Sequence, residues 1–433
     1  MERLHFEERP VDAIKSNPRN SRTHPKKQIA QIAASMTAFG NVNPLLIDEH
    51  DVLIAGHGRL AAAKSLALPT VPTILVAGLT ESQKRGLMIA DNRIAANAGW
   101  DRQLLKTELS ELMDIGEIDI SLVGFEIPEI DQLFSDLEQN SSDPADNAPV
   151  GTGPIVTRPG DIWLMGSHKI ACGNSLDPAV FNQLCGTERM AAAFLDPPYN
   201  VRVSGIVGRG KKQHEEFAMG SGEMTDAEFI EFLTTTLGNA AAVSTDTAIH
   251  YVCMDWRHLS ALFSAGGAVY CKMLNLIAWV KSNAGQGSFY RSQHEMIGVF
   301  RVGEGQHLNN VELGKHGRNR SNVWNYAGVN SFGKDRLTDL RSHPTVKPVA
   351  MIVDALKDCT RRNDFVLDCF AGSGSTLMAC ERAGRVGRLI EYEPRYVDLT
   401  VSRWQEFTKK DAINHSTGTT FNETAKAREV TNG

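Results

Sequence analysis

The chain has 433 residues, 45 Lys/Arg against 51 Asp/Glu, a formal net charge of −6 and seven cysteines. At roughly 100–200 residues per domain this predicts two or three domains, and 42% apolar with 22% charged residues excludes wholesale disorder. No run reaches the ~18–20 apolar residues of a membrane span, the opening MERLHFEERP lacks an apolar leader, and no cysteine pair has CxxC or zinc-ligand spacing, so a cytoplasmic protein with no membrane contact, no disulfide scaffold and no metal site is expected.

In chain order, Ile29, Ile32, Ala33, Met36 and Phe39 recur at helical spacing and Gly40 ends the run. Residues 44–47 and 52–54 read as short strands around an acidic turn. The tetrapeptide GHGR (56–59) leads into an alanine-rich helix ending near Leu68-Pro69, and two more helices are predicted over 80–96 and 102–113. This is a small α/β or α+β unit, residues 1–135. The stretch 136–160 is rich in Ser, Asp, Asn, Pro and Gly and reads as a linker, because such a composition offsets little ordering entropy.

Beyond it, strand-like and helix-like runs alternate: a strand at 191–195, a helix at 226–242, and strands at 249–253, 276–280 and 296–300. A further strand at 365–369, a helix at 375–383 and a strand at 386–390 follow. The alternation predicts a mostly parallel, doubly wound sheet over 161–407. Residues 408–433, poor in apolar groups, read as a flexible tail.

The negative total hides basic segments. Residues 202–212 carry four bases and no acid, and residues 281–347 carry ten bases against five acids. A nucleic-acid protein needs only a local basic face. Arg202, Lys211 and Lys212, and then Lys315, Arg318 and Arg320 within GKHGRNRSNVW (314–324), are the candidate DNA contacts. A solvated face is the plainer reading of any such run. His294, in SFYRSQHE (288–295), reads as a satisfied scaffold histidine.

Two segments carry chemistry. In VLDCFAGSGST (366–376) a strand meets a Gly372-x-Gly374 turn and a helix start, and Glu391 lies just past the next strand. Glycines allow close backbone approach, the helix N-terminus offers free N–H groups, and a carboxylate at Glu391 can accept from ribose hydroxyls. A tight turn without a ligand remains the alternative. The motif does not separate a dinucleotide from S-adenosylmethionine, although Leu377 stands where a third glycine would favour the former.

The second segment, Asp196-Pro197-Pro198-Tyr199, follows an apolar strand. Two prolines remove two backbone donors and stiffen the chain, so the Asp196 carboxylate and nearby carbonyls form a corner that only accepts hydrogen bonds. That corner suits an amino group, and the Tyr199 ring gives a flat face for a flipped base. A proline-rich turn closing a strand is the competing reading.

DPPY, then HPTVKP (343–348), then DCFAGSGST resembles, in that order, the beta-class amino-group DNA methyltransferases. The likeness runs over roughly residues 155–405, including GDIWLMGSHKIACGNS, LIAWVKSN and EYEPRYV. The resemblance implies a Rossmann-like α/β fold in permuted order, S-adenosylmethionine as methyl donor and double-stranded DNA as substrate. DPPY is similar to the adenine-modifying members; the 4-amino group of cytosine is the alternative target. By the same resemblance Asp196 to Tyr199 hold the base, Asp368, Phe370, Gly372 and Gly374 line the cofactor, Glu391 takes its ribose and Lys347 its carboxylate. The target-recognition segment falls at about 301–342. Gly173-Asn174 stands where many relatives have Gly-Asp, which weakens one contact to the cofactor's adenine. With no cysteine near DPPY in sequence, direct transfer without a covalent enzyme intermediate is expected.

Ile54 to Arg59 with LALPTVPTILV (66–76) resembles the ParB/sulfiredoxin-like domain over about residues 10–95. GHGR then reads either as a structural turn or as a phosphate cradle, which implies a nucleotide, DNA tethering or homodimer contact. The expectation is a site-specific DNA methyltransferase of a bacterium or its phage, with or without a restriction partner. A ParB-like DNA-binding module whose second half only senses cofactor is the alternative from another class.

Overall fold

The computed structural model describes residues 5–115, 117–136, 154–201, 222–281, 289–313, 320–326 and 347–430. The chain divides into two compact units, Met1–Gln139 and Asn140–Gly433.

The first unit is built from β1 (His5–Pro10), α1 (Lys26–Phe39), β2 (Leu45–Ile47), β3 (Leu53–Ala55), α2 (His57–Ser65), β4 (Thr70–Leu75), α3 (Glu81–Ala95), α4 (Arg102–Ile115) and α5 (Ile127–Asp136). Its four strands lie in the order β1-β4-β2-β3. Val11, Ile14, Leu45, Ile47, Leu53, Leu60 and Val71 form the core. Gly40 stops α1 at φ 81°, as the sequence predicts. The apolar face of α1 is only half-buried, and Phe39 is exposed. A reciprocal Thr80–Gln83 capping box starts α3.

The second unit runs through β5 (Ile162–Met165), β6 (His168–Cys172), α6 (Pro178–Cys185), β7 (Met190–Leu195), α7 (Asp226–Ala242), β8 (Ser244–Met254), α8 (Leu259–Val269), β9 (Lys272–Val280), β10 (His294–Arg301) and β11 (Val323–Asn325). It continues with α9 (Val349–Cys359), β12 (Phe365–Asp368), α10 (Ser375–Ala383), β13 (Val386–Glu391), α11 (Pro394–Thr408), β14 (Ile413–Asn414) and α12 (Phe421–Val430). Ten strands form one sheet in the order β11-β9-β10-β8-β7-β12-β13-β6-β5-β14. The central strands β8, β7, β12, β13 and β6 run parallel, whereas β10, β5 and β14 pair antiparallel with their neighbours.

Helices cover both faces, so β7 reads MAAAFL without a polar residue. Ala193 and Leu195 face a core shared with α6, α7 and α8, while Ala192 and Phe194 face one shared with α9 and α10. From β7 the chain crosses to β8 over the first face. From β12 it crosses to β13 over the second. The two crossovers part between β7 and β12, and the carboxyl ends of strands at such a divergence are where open sheets of this kind bind ligands.

Two sequence expectations fail at the edges of this unit. The linker expected over 136–160 ends earlier: the N–H groups of Val156 and Thr157 donate to the Asp398 carboxylate at 2.7 and 2.9 Å, and Gly160 donates to the Cys172 carbonyl at 2.8 Å. Residues 137–153 lie outside the described residues. The segment read as a flexible tail instead adds β14 to the sheet edge and packs α12 beside it. Few apolar residues suffice, because Phe421 meets Trp163 edge-on at 5.0 Å and Arg428 pairs with Asp161 in the interior of that corner. Phe421→Ala is therefore expected to destabilise the unit by about 3 kcal/mol, read as a lower urea midpoint; a loose tail would leave the midpoint unmoved.

Candidate active site

β7 and β12 are neighbours in parallel register, Ala192 with Val366 and Ala193 with Leu367. Asp196 leaves the end of one strand and Asp368 closes the other, so the proline corner and the glycine turn sit side by side. Their charges feel each other: burial above all, then the nearby Asp196 and Glu391 carboxylates, push Asp368 up to about 7 against hydrogen bonds from Thr376 and the Phe370 N–H.

On the cofactor side, Gly372 (φ 52°) donates its N–H to Glu391 Oε2 at 2.7 Å, and Glu393 N–H fills Glu391 Oε1 at 2.9 Å. Each oxygen keeps acceptor capacity for a hydroxyl. Burial raises the Glu391 pKa, opposed by those backbone donors. Gly374 caps α10 at φ 80°, where a Cβ would lie 2.7 Å from Thr400 Cγ2, so this glycine is demanded by packing as well as by the turn. Phe370 is half-buried against Phe232 at 6.2 Å. Ser375 Oγ, buried in the first turn of α10, has no hydrogen-bond partner among the described residues. A polar atom left unpaired at a glycine turn fits a ligand that completes it. Asn174 spends its side-chain oxygen on the Leu176 N–H at 2.9 Å, within its own turn.

On the DPPY side Pro197 is buried and Pro198 half-buried, as a stiff exit from the sheet requires. Asn200 holds a left-handed φ of 53° and ties the corner down: its amide donates to the Met224 carbonyl at 2.8 Å and accepts from Gly222 and Met224.

The corner is not acceptor-only, contrary to the sequence reading. Tyr199 OH donates to Asp196 Oδ1 at 2.8 Å, and Lys347 Nζ donates to Asp196 Oδ2 at 2.6 Å. Lys347, assigned by resemblance to a cofactor carboxylate, here stands at the start of α9 with its ammonium between Asp196 and Glu295 and 5.5 Å over the Tyr199 ring. Glu295 on β10, which sequence reasoning missed, also lies 3.0 Å from Tyr199 OH and pairs with Lys281. Its neighbour His294, read as a satisfied scaffold histidine, is exposed at the strand's first position. The one available signal was alternation along HEMIGVFR, which turns Glu295 and not His294 toward the site.

Burial raises the Asp196 pKa, with Lys347 pulling down and Glu295 pushing up. Burial opposes the charge on Lys347 as well, but Asp196 and Glu295 outweigh it and hold the ammonium far above the ordinary lysine value. Lys347 and Lys281 overcome burial at Glu295 and bring it down to about 2. A cysteine does lie close in space: Cys253 on β8 feels the charges of Asp196 and Lys347. Burial holds its thiol well above the usual value, so it is not a thiolate nucleophile.

A family described as DNA methylase matches residues 190–402, one described as ParB N-terminal domain matches 2–92, and one described as ParB-methyltransferase HTH domain matches 103–159. The ParB-like nuclease domain-containing protein YnaK of Escherichia coli (strain K12) is 44% identical over 84 residues, 19% of this chain and 97% of that protein. The type II methyltransferase M.ScaI of Streptomyces caespitosus is 33% identical over 87 residues, 20% of this chain and 29% of that protein, so under a third of its length is spanned. Among solved structures, a putative DNA modification methylase from Thermus thermophilus complexed with S-adenosyl-L-methionine aligns at 18% identity with a TM-score of 0.39, covering 55% of this chain and 93% of that one.

Of the basic residues expected on DNA, Arg202, Lys211, Lys212, Lys315 and Arg318 lie outside the described residues. Arg320 is described, and it is turned inward. Its Nε lies 2.8 Å from Asp358 and its Nη1 3.1 Å from both Asp354 and Tyr326 OH, with the guanidinium 4.6 Å over the Trp324 ring. The acids on α9 and the aromatic beside it claim the charge, so Arg320 fastens β11 to that helix instead of meeting phosphate. Arg320→Ala strips both acids of this shared cation and is expected to cost about 3 kcal/mol of stability. The slope of DNA affinity against salt should stay as in the wild type; a shallower slope would return Arg320 to the DNA face.

Proposed function

This chain belongs to the DNA methylase family, as a methylase carried behind a ParB N-terminal domain, and from that premise we propose that it transfers a methyl group from S-adenosylmethionine to the 6-amino group of adenine in duplex DNA. The observation that carries the reading is the adjacency of the Asp196 corner and the Gly372–Gly374 turn at the ends of paired strands. The residues of the turn fit the cofactor: Glu391 for ribose hydroxyls, Ser375 Oγ for an unmet hydrogen bond, and acidic Asp368 for positive charge.

When bound, S-adenosylmethionine supplies an electrophilic methyl group on a sulfonium centre. The rest falls to the chain. An exocyclic amine is a weak nucleophile because its lone pair is delocalised into the ring. Asp196 and the Pro197 carbonyl accept its two hydrogens, favour a tetrahedral nitrogen and turn the lone pair outward. Asp196 then takes the departing proton. Its raised pKa makes the carboxylate a better acceptor than an ordinary aspartate. Tyr199 offers its ring face to a base flipped out of the duplex, and catalysis is chiefly positioning and electrostatic preorganisation.

The N-terminal unit binds a phosphate, of a nucleotide or of DNA, at Gly56–Arg59. Gly56 adopts φ 100° at the head of α2, and His57 Nε2 and Arg59 Nε are buried without hydrogen-bond partners among the described residues. Buried polar atoms left unpaired at a glycine turn fit a ligand that completes them.

Labelled-methyl transfer followed by modification-sensitive sequencing tests the reading, reporting base type and site together. Methyladenine at one recurrent sequence is expected; methylation of the cytosine 4-amino group would correct the target, and no incorporation into any DNA would leave a cofactor-sensing module. Asp196→Ala should abolish transfer while cofactor affinity stays within about several-fold; full activity would remove Asp196 from its role. Asp368, with its pKa near 7, binds a cation only when ionised. Cofactor affinity should therefore fall as pH drops through that value and become flat with pH in Asp368→Asn, as calorimetry at several pH values would show.

A further inference from the structure

Two carboxylates at the transfer site compete for one hydrogen. Tyr199 OH lies 2.8 Å from Asp196 Oδ1 and 3.0 Å from Glu295 Oε2, and a phenol has a single proton to give. The Lys347 ammonium has three hydrogens and three acceptors in reach: Asp196 Oδ2 at 2.6 Å, Glu295 Oε2 at 3.2 Å and Tyr199 OH at 3.2 Å. Lys281 holds the other Glu295 oxygen, Oε1, from the end of β9, with its own ammonium 4.9 Å over the Trp279 ring. Glu295 thus presents one fixed oxygen to the two groups that also occupy Asp196.

We propose that Glu295 is a positioning residue for methyl transfer: it is the alternate acceptor that takes the Tyr199 hydroxyl, and a larger share of Lys347, when an amino group enters, so that Asp196 is released to receive it. The proposal deepens the methyltransferase reading and rests on it.

Both Asp196 oxygens are engaged in the structure, one by each donor. An entering amine needs Asp196 Oδ1, the oxygen held by Tyr199. Without a second acceptor, freeing it would leave a buried hydroxyl hydrogen unpaired, which is costly. Glu295 Oε2 is 3.0 Å away, so a rotation of the O–H bond suffices and the ring need not move from its place beside the base. The same carboxylate keeps Lys347 from settling wholly on Asp196. An ammonium lodged there would repel the positive charge that gathers on the amine nitrogen as its bond to the methyl forms. The remaining groups around the corner do not substitute: Cys253 on β8 is a buried neutral thiol, and Asp368 on β12 is already engaged by the Phe370 N–H at 3.0 Å.

The test is a double-mutant cycle in the full chain, read as the single-turnover transfer rate at saturating DNA and cofactor. Glu295→Gln keeps the shape and removes the charge. In the wild-type background it is expected to slow transfer by about 30-fold, with both affinities within about threefold. In the Tyr199→Phe background, where no hydroxyl hydrogen needs a second home, the same change should cost about threefold or less. Equal losses in the two backgrounds, or a Glu295→Gln rate within about twofold of wild type, overturn the proposal. Lys281→Met tests it independently of any change at Glu295. Lys281 is about one-third exposed, so the fold tolerates its loss, and a freed Glu295 should slow transfer by about fivefold without altering affinities; an unchanged rate again overturns the role. A wild-type enzyme that methylates alongside an equally active Glu295→Gln sinks the role of Glu295 alone, whereas a wild type that methylates no DNA sinks the underlying reading with it.

Discussion

The parallel pairing of β7 with β12 is the constraint on which the site depends. Only two residue pairs are in register, Ala192 with Val366 and Ala193 with Leu367. Those pairs bring segments more than 170 positions apart to one edge of the sheet. Small alanines on β7 let helices approach both faces, and the diverging crossovers leave the edge open above these two strands. The proposed transfer needs the Asp196 corner and the Gly372–Gly374 turn to share an edge, and this pairing supplies it.

Around the edge the charges are arranged by subtraction. Asp196, Asp368, Glu391 and Glu295 bring four carboxylates to a small volume, against the ammonium groups of Lys347 and Lys281. Glu295 is kept strongly acidic by its two lysines, while Asp196 and Asp368 are pushed up by burial. Identical functional groups thus acquire different proton affinities from their surroundings, with Glu295 held as an anion while Asp196 and Asp368 are shifted the other way.

What the sequence reveals is what is local. DPPY, the glycine turn and Glu391 are each set by neighbours within about 25 positions and by simple backbone rules, and the structure brings them together as expected. Contacts across the fold were not legible. Lys347 reaches Asp196 over 151 positions and Tyr199 reaches Glu295 over 96; strand alternation says which way Glu295 faces but not which distant residue it meets. Arg320 misled for the same reason: its run looks basic and solvated, but its acidic partners sit on a helix 34 and more positions later. The C-terminal segment misled through composition, because β14 and α12 are held by single large contacts, not by an apolar stripe.

The permuted order has a consequence for how the molecule is made. Synthesis runs from the amino end, so β7 emerges long before β12 and must wait, its hydrogen-bonding edge open, for the strand that will sit beside it. The far margin waits longer still, since β14 closes against β5 only after roughly 250 further residues have been translated. Such long-range pairings are slow to nucleate and leave sticky margins in the meantime. A ribosome that stalls before β12 therefore releases a half-assembled sheet already bearing the Asp196 corner but no glycine turn beside it, a species poorly equipped to stay soluble.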